Sequence, residues 1–274
     1  MKILLDNSIL SGAELAESVV KEELVSWGDI QQKVNIHGYR KKVHKDTNKQ
    51  KEIDAICTVG RLIREGKATV YSYNELDFEA FRRSVTVKEY NPLADCELKR
   101  CKSPIERSKF RQTINFFEHM AKGGKNDKKY KPENVSTFNQ IPFITWLIEL
   151  QEESINNFIE KKGILGLSDF EIESLNNIEW FKFICSRFDT PENYPDAFHL
   201  WAAERNNIDV FLTLEKKLPN TVKSINNSRN TKFGIKTKVC KPIEFLNSIG
   251  IIELDEPPIV EGEFYTFMEA HNEA

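Results

Sequence analysis

The chain has 274 residues, 40% hydrophobic and 30% charged, enough apolar sequence to bury one large domain and too much for wholesale disorder. Lysine and arginine total 39 against 42 acids, a formal charge of −3. The surface as a whole is therefore no basic cradle, and a polyanion would have to be met by local patches. Asp6 cuts the opening run Met1–Leu5 short of a secretory core, and no run of about 18 apolar residues is present to span a membrane. Cys57, Cys96, Cys101, Cys185 and Cys240 are odd in number and scattered. The expectation is a cytoplasmic protein with reduced thiols and no membrane partner. Cys96 and Cys101 lie close together but lack a second ligand pair at zinc-site spacing.

In chain order, Lys2 to Leu5 reads as a buried strand meeting a turn or cap at Asp6-Asn7-Ser8. Ala13 to Trp27 carries Leu15, Val19, Val20, Leu24 and Trp27 at helical spacing, which predicts a helix. The basic stretch Lys33 to Lys51 reads as a loop or helix end. Glu52 to Lys67 is helical, with Ile53, Ile56, Val59, Leu62 and Ile63 on one face and Gly66 as the stop. Ala68 to Tyr73 is a strand closed by Asn74-Glu75. Strands joined by helical crossovers predict an α/β fold, Rossmann-like, with three layers around a central, mainly parallel sheet.

Ser84 to Tyr90 reads as a strand, Ser108 to Met120 as a helix and Lys122 to Lys131 as a flexible basic loop. Phe143 to Phe158 predicts one long helix running on to Lys162, and Ser168 to Arg187 one or two more. Pro195-Asp196 opens a helix over Ala197 to Asn206, where Ala202-Ala203 suits close packing on a sheet. Asp209 to Thr213 is a strand ending at Leu214-Glu215, Lys238 to Cys240 a last strand, and Ile243 to Ser248 a helix. Lys216 to Lys241 holds eight cations and no acid, whereas Pro242 to Ala274 holds eight acids and no lysine or arginine.

Three acids stand at the carboxyl ends of predicted strands, Asp6, Glu75 and Glu215, and Asp196 begins a helix that leads into one of them. In an open parallel sheet, ligands bind beyond those strand ends. Clustered carboxylates hold hard cations such as Mg²⁺ or Mn²⁺, and such ions can activate water against a phosphodiester without a histidine base or serine nucleophile. His37, His44, His119, His199 and His271 show no hydrolase spacing, and no Gly-x-Ser-x-Gly or Gly-rich phosphate loop occurs.

Ile3-Leu-Leu-Asp6-Asn-Ser-Ile-Leu10 resembles the opening strand of PIN-domain nucleases. Asp196-Ala-Phe-His-Leu-Trp-Ala-Ala-Glu-Arg205 and Ile208-Asp-Val-Phe-Leu-Thr-Leu-Glu215 resemble that family's C-terminal half, and Val70-Tyr-Ser-Tyr-Asn-Glu-Leu76 its intermediate strand. The resemblance implies a metal-dependent nuclease acting on RNA or single-stranded nucleic acid. In it Asp6, Glu75, Asp196 and Glu215 are the catalytic, metal-binding acids and Thr213 is a supporting hydroxyl. Glu215 stands where the family has Asp, one methylene shorter. On this reading residues 1–250 form a single PIN-like domain with inserted helices over 91–190, followed by an acidic tail, 251–274. Arg107, Lys216 and Lys217 are candidate phosphate contacts. An antitoxin-like or other protein partner and a homodimer are possible companions.

Plain alternatives stand beside each assignment. Asp6 and Asp196 also suit helix caps, Glu75 and Glu215 solvated loops, His199 packing or solvent, and the acidic tail, a candidate competitor with nucleic acid for the basic segment Lys216 to Lys241, a solvated end. The functional alternative is a non-catalytic nucleic-acid-binding or interaction protein on the same fold. A phosphatase that forms an aspartyl-phosphate is disfavoured, because Asp6 is followed by Asn7 and Ser8 rather than by a second Asp.

Overall fold

A computed structural model describes residues 1–80, 88–110, 140–228 and 234–266. Five short strands run parallel, all but the third in sequence built on apolar residues: β1 (Lys2–Leu5), β4 (Thr69–Ser72), β5 (Leu98–Arg100), β6 (Val210–Leu212) and β7 (Lys238–Cys240). They lie in the order β5-β4-β1-β6-β7, with Ile3 registered against both Val70 and Val210. Counted along the chain, the order is third, second, first, fourth, fifth. The winding therefore reverses between β1 and β6, which makes that gap the topological switch point of an α/β, Rossmann-like three-layer fold.

Side-chain alternation divides the core in two. Ile3, Leu5, Val70, Val210, Leu212 and Cys240 face one layer, made by α1 (Asn7–Gly12), α3 (Ile56–Arg64) and α12 (Pro242–Ser248). Leu4, Phe211 and Val239 face the other, built on α10 (Tyr194–Arg205) and α11 (Lys217–Asn227). In α10, seven consecutive residues from Ala197 to Ala203 are buried. Phe198 and Trp201 are core groups, with Trp201 stacked on Phe181 at 4.5 Å between ring centroids.

The stretch expected as inserted helices supplies α5 (Ile141–Glu149), α6 (Glu152–Glu160), α7 (Lys162–Leu165), α8 (Asp169–Asn176) and α9 (Ile178–Cys185). Their apolar faces join the same cluster as α10 rather than forming a separate core. The same stretch also contributes β5, whose three exposed residues include a single apolar one, Leu98. The single helix expected from Phe143 to Lys162 is broken, because Leu150 and Gln151 are extended. The break lets Ile155 and Phe158 fold back onto the cluster holding Phe143 and Trp146, and Lys182 Nζ donates to the freed Leu150 carbonyl at 2.7 Å.

The largest departure from the sequence reading is at 13–41. The expected helix to Trp27 is β2 (Ala16–Trp27), and the first half of the stretch expected as a loop or helix end lies in β3 (Ile30–Lys41). The strands pair without interruption from Ala16 with Lys41 to Trp27 with Ile30. β-Branched Val19, Val20 and Val25 suit the pleat, and Gly28, at φ +62°, closes the two-residue turn with Asp29. Helix α2 (Thr47–Asp54) follows, capped by Asp46 Oδ1 accepting from the Asn48 and Lys49 amides.

The acidic tail, expected as solvated, packs down as far as it is described. Ile259 is buried, Asp255 accepts from Arg61 Nε at 2.7 Å, and β8 (Tyr265–Thr266) pairs with β3 at Gly38 and Tyr39. A Cβ on Gly38 would lie 2.4 Å from the Tyr265 carbonyl oxygen, so only glycine admits the tail there. The Lys122–Lys131 loop and most of the Ser84–Tyr90 strand and Ser108–Met120 helix lie outside the described residues; Lys88–Tyr90 and Arg107–Phe110 are 3₁₀ turns. Among the described residues no helix is long and apolar enough to cross a membrane.

Candidate active site

Asp6 follows the last residue of β1, and its amide still donates to the Leu212 carbonyl at 2.9 Å, so the ladder fixes it against the end of β6. Its carbonyl accepts the Ile9 and Leu10 amides that start α1, yet its side chain caps nothing. The carboxylate turns to β6 instead. Oδ2 accepts from Ser8 Oγ and from Thr213 Oγ1, the latter at 2.7 Å. The same two hydroxyl oxygens accept backbone amides, Leu214 N at 2.9 Å on Ser8 and Glu215 N at 3.0 Å on Thr213. The two hydroxyl oxygens also lie 3.2 Å apart, so Ser8, Thr213 and Oδ2 form one small hydrogen-bonded cluster.

Asp196 sits in the first turn of α10 after Pro195, where the helix dipole favours a carboxylate and the buried helix behind holds its backbone. Glu215 is exposed just beyond β6. Together Asp6, Asp196 and Glu215 line one open pocket of about 430 Å³ with Asn7, Ser8, Ser11 and Asn193. Three of the four expected acids therefore line this pocket at the switch point, and Thr213, expected as a supporting hydroxyl, donates to Asp6.

Glu75 does not line the pocket. It lies in the first turn of α4 (Asn74–Ala80), only 2% exposed, with Oε2 3.3 Å from Arg107 Nη2. Arg107, expected to meet phosphate, is itself only 6% exposed. A buried carboxylate demands a cation, and this demand draws the two expected site residues into a structural pair. The segment bearing Arg107 is anchored by Glu171, whose carboxylate accepts from Lys109 Nζ, the Glu106 amide and the Ser168 cap of α8. Burial pushes that carboxyl up, but the donors from Lys109, Ser168 and Glu106 together hold it below its ordinary value. A depressed carboxylate adds stability above its unfolded pKa and loses it as pH falls through the folded one. Glu171→Gln is expected to cost about 1–3 kcal/mol at neutral pH and to flatten the acid limb of stability below about pH 4.5, measured by denaturant melts across pH.

His199, one turn beyond Asp196, is buried with Nδ1 2.5 Å from the Tyr73 hydroxyl, in keeping with a packing role. Lys216 and Lys217 are exposed directly after Glu215, 4.0 Å from Asp46 and 3.5 Å from Asp189 respectively. Sequence reasoning missed Asn7, Ser8, Ser11 and Asn193. Ser8 had a signal, a hydroxyl two residues past an acid at a strand end.

The lining groups are oxygen donors and amides, the chemistry that a hard divalent cation accepts while keeping several waters. Among the described residues no three His, Cys, Asp or Glu stand close enough to hold an ion between them, so one or two carboxylates with water is the binding mode this pocket suits. Compared with protein-family models, with curated proteins and with solved structures, the chain finds no match in any of the three.

Proposed function

We propose that the chain is a PIN-like, divalent-metal-dependent nuclease acting on RNA or single-stranded nucleic acid. One observation carries the reading. Asp6, Asp196 and Glu215 line a single open pocket at the carboxyl ends of the two strands flanking the switch point, where α/β sheets bind ligands. When bound there, Mg²⁺ or Mn²⁺ supplies Lewis-acid stabilisation and a water activated for in-line attack on phosphorus. Asp6, pinned through Oδ2, offers a ligand with little freedom to lose. Asp196 adds a second carboxylate on a helix end that cannot shift without disturbing the core. Glu215, longer and exposed, would meet the ion through water. Lys216 and Lys217 give the phosphate backbone a seat at the rim.

The absence of a three-acid grip among the described residues, with Glu75 tied to Arg107, favours a second reading, a module that binds nucleic acid without cutting it. End-labelled single-stranded RNA and DNA incubated with Mg²⁺, Mn²⁺ or EDTA separate the two. Cleavage that requires metal is expected. Binding that survives EDTA, with no cleavage of either polymer under any metal, would transfer the assignment to the second reading.

A further inference from the structure

Strand β2 is the outer strand of the sheet β2-β3-β8, and its far edge has no strand partner among the described residues. Natural proteins break or guard such an edge with prolines, bulges, short strands or charged side chains, and of these β2 has only its charges, Glu17, Lys21, Glu22 and Glu23. Here β2 runs twelve residues without a proline and without a bulge in its register. It also exposes apolar groups, with Val20 57%, Leu24 65% and Trp27 68% accessible. We propose that this edge is an interface, and that its occupant is β2 of a second copy, antiparallel about a twofold axis at Glu22.

The strand's own sequence argues for that partner. A twofold axis normal to the sheet pairs residues of like parity, so the candidate registers differ by two-residue steps. With Glu22 at the axis, Val20 faces Leu24 of the second copy, Val19 faces Val25, and Lys21 faces Glu23, each pair occurring twice. Apolar meets apolar and cation meets anion, the pairs that stabilise a sheet. The one like-charge meeting is Glu22 with itself, and Lys33 lies 3.0 Å from each Glu22 within its own copy. Centring the axis on Lys21 would set lysine against lysine and Val19 against Glu23. Centring it on Glu23 would set Glu23 against itself and Lys21 against Val25. The segment from Ala16 to Lys41 has four acids and four bases, so neither strong self-repulsion nor an attraction for polyanions competes. Main-chain hydrogen bonds would give the affinity and the side-chain pairs the register.

Sedimentation of the full chain over a wide concentration range tests this without reference to activity. A dimer dissociating to monomer on dilution is expected. Val20→Lys and Leu24→Glu, at exposed sites that leave the monomer's circular dichroism unchanged, should each weaken it by at least about tenfold. The double variant V20K/L24E should return to within about threefold of the parent, because each introduced ammonium then faces an introduced carboxylate across the axis. A parent that stays monomeric throughout, single variants that dimerise as the parent does, or a double variant as weak as the singles would each overturn the proposal.

Discussion

Asp6→Asn is expected to lower metal-dependent cleavage by roughly 10³-fold, about 4 kcal/mol of barrier, while the chain stays folded. The asymmetry follows from where the side chain's bonds go. Asparagine keeps one carbonyl oxygen, which can accept from Ser8 and Thr213 in place of Oδ2, so the tie between β1 and β6 persists. The stability cost is that of two charge-assisted bonds becoming neutral, about 1–2 kcal/mol. What disappears is the charge, and with it the better part of a hard cation's preference for the pocket. Cleavage rates and thermal melts on the same preparation check both halves. Thr213→Val supplies the contrast. It removes one of two donors to Asp6 and strands the Glu215 amide, so its loss should be nearer tenfold, with tighter dependence on metal concentration. Parent-like cleavage by Asp6→Asn would remove Asp6 from the site.

Much of the central fold was legible because it is written in runs too short and too apolar to be anything else. Leu4, Val70, Phe211 and Val239 sit in strands read directly from sequence, and the burial of Ala202-Ala203 follows from small residues in a helix against a sheet. The β2–β3 hairpin was misread for a physical reason. Leu15, Val19, Val20, Leu24 and Trp27 satisfy a helical period only if both faces of a strand are counted together, and this ribbon, fully buried only at Gly38 and Tyr39, has no continuous buried face to impose strict alternation. β5 was missed because its three residues gain their strand identity from the Ser72 edge they dock on, not from their own side chains. At the site, Asp6, Asp196, Glu215 and Thr213 were readable as polar groups at element ends. Glu75 was not, because sequence shows that a carboxylate ends a strand but not that Arg107, 32 residues on, waits for it in the core.

That buried pair sets the second large effect. Arg107→Met is expected to destabilise the chain by about 3–5 kcal/mol, a fall in Tm on the order of 10 °C, read by calorimetry. The cost comes less from the lost attraction than from what remains, a Glu75 carboxylate 2% exposed and no longer facing a guanidinium. The double variant Glu75→Gln with Arg107→Met should therefore regain most of the loss, since it buries no charge at all. The consequence reaches the pocket through α4. The Glu75 carbonyl accepts from Gln140 Nε2 at 3.0 Å, and the next carbonyl, that of Leu76, accepts from Asn7 Nδ2 at 3.5 Å; Asn7 in turn lines the pocket beside Asp6. If Glu75 is a strut, the double variant cleaves at near the parent rate at temperatures where it is folded. If it were a metal ligand, Glu75→Gln would abolish cleavage whether or not Arg107 is present, and the stability rescue would bring no activity with it.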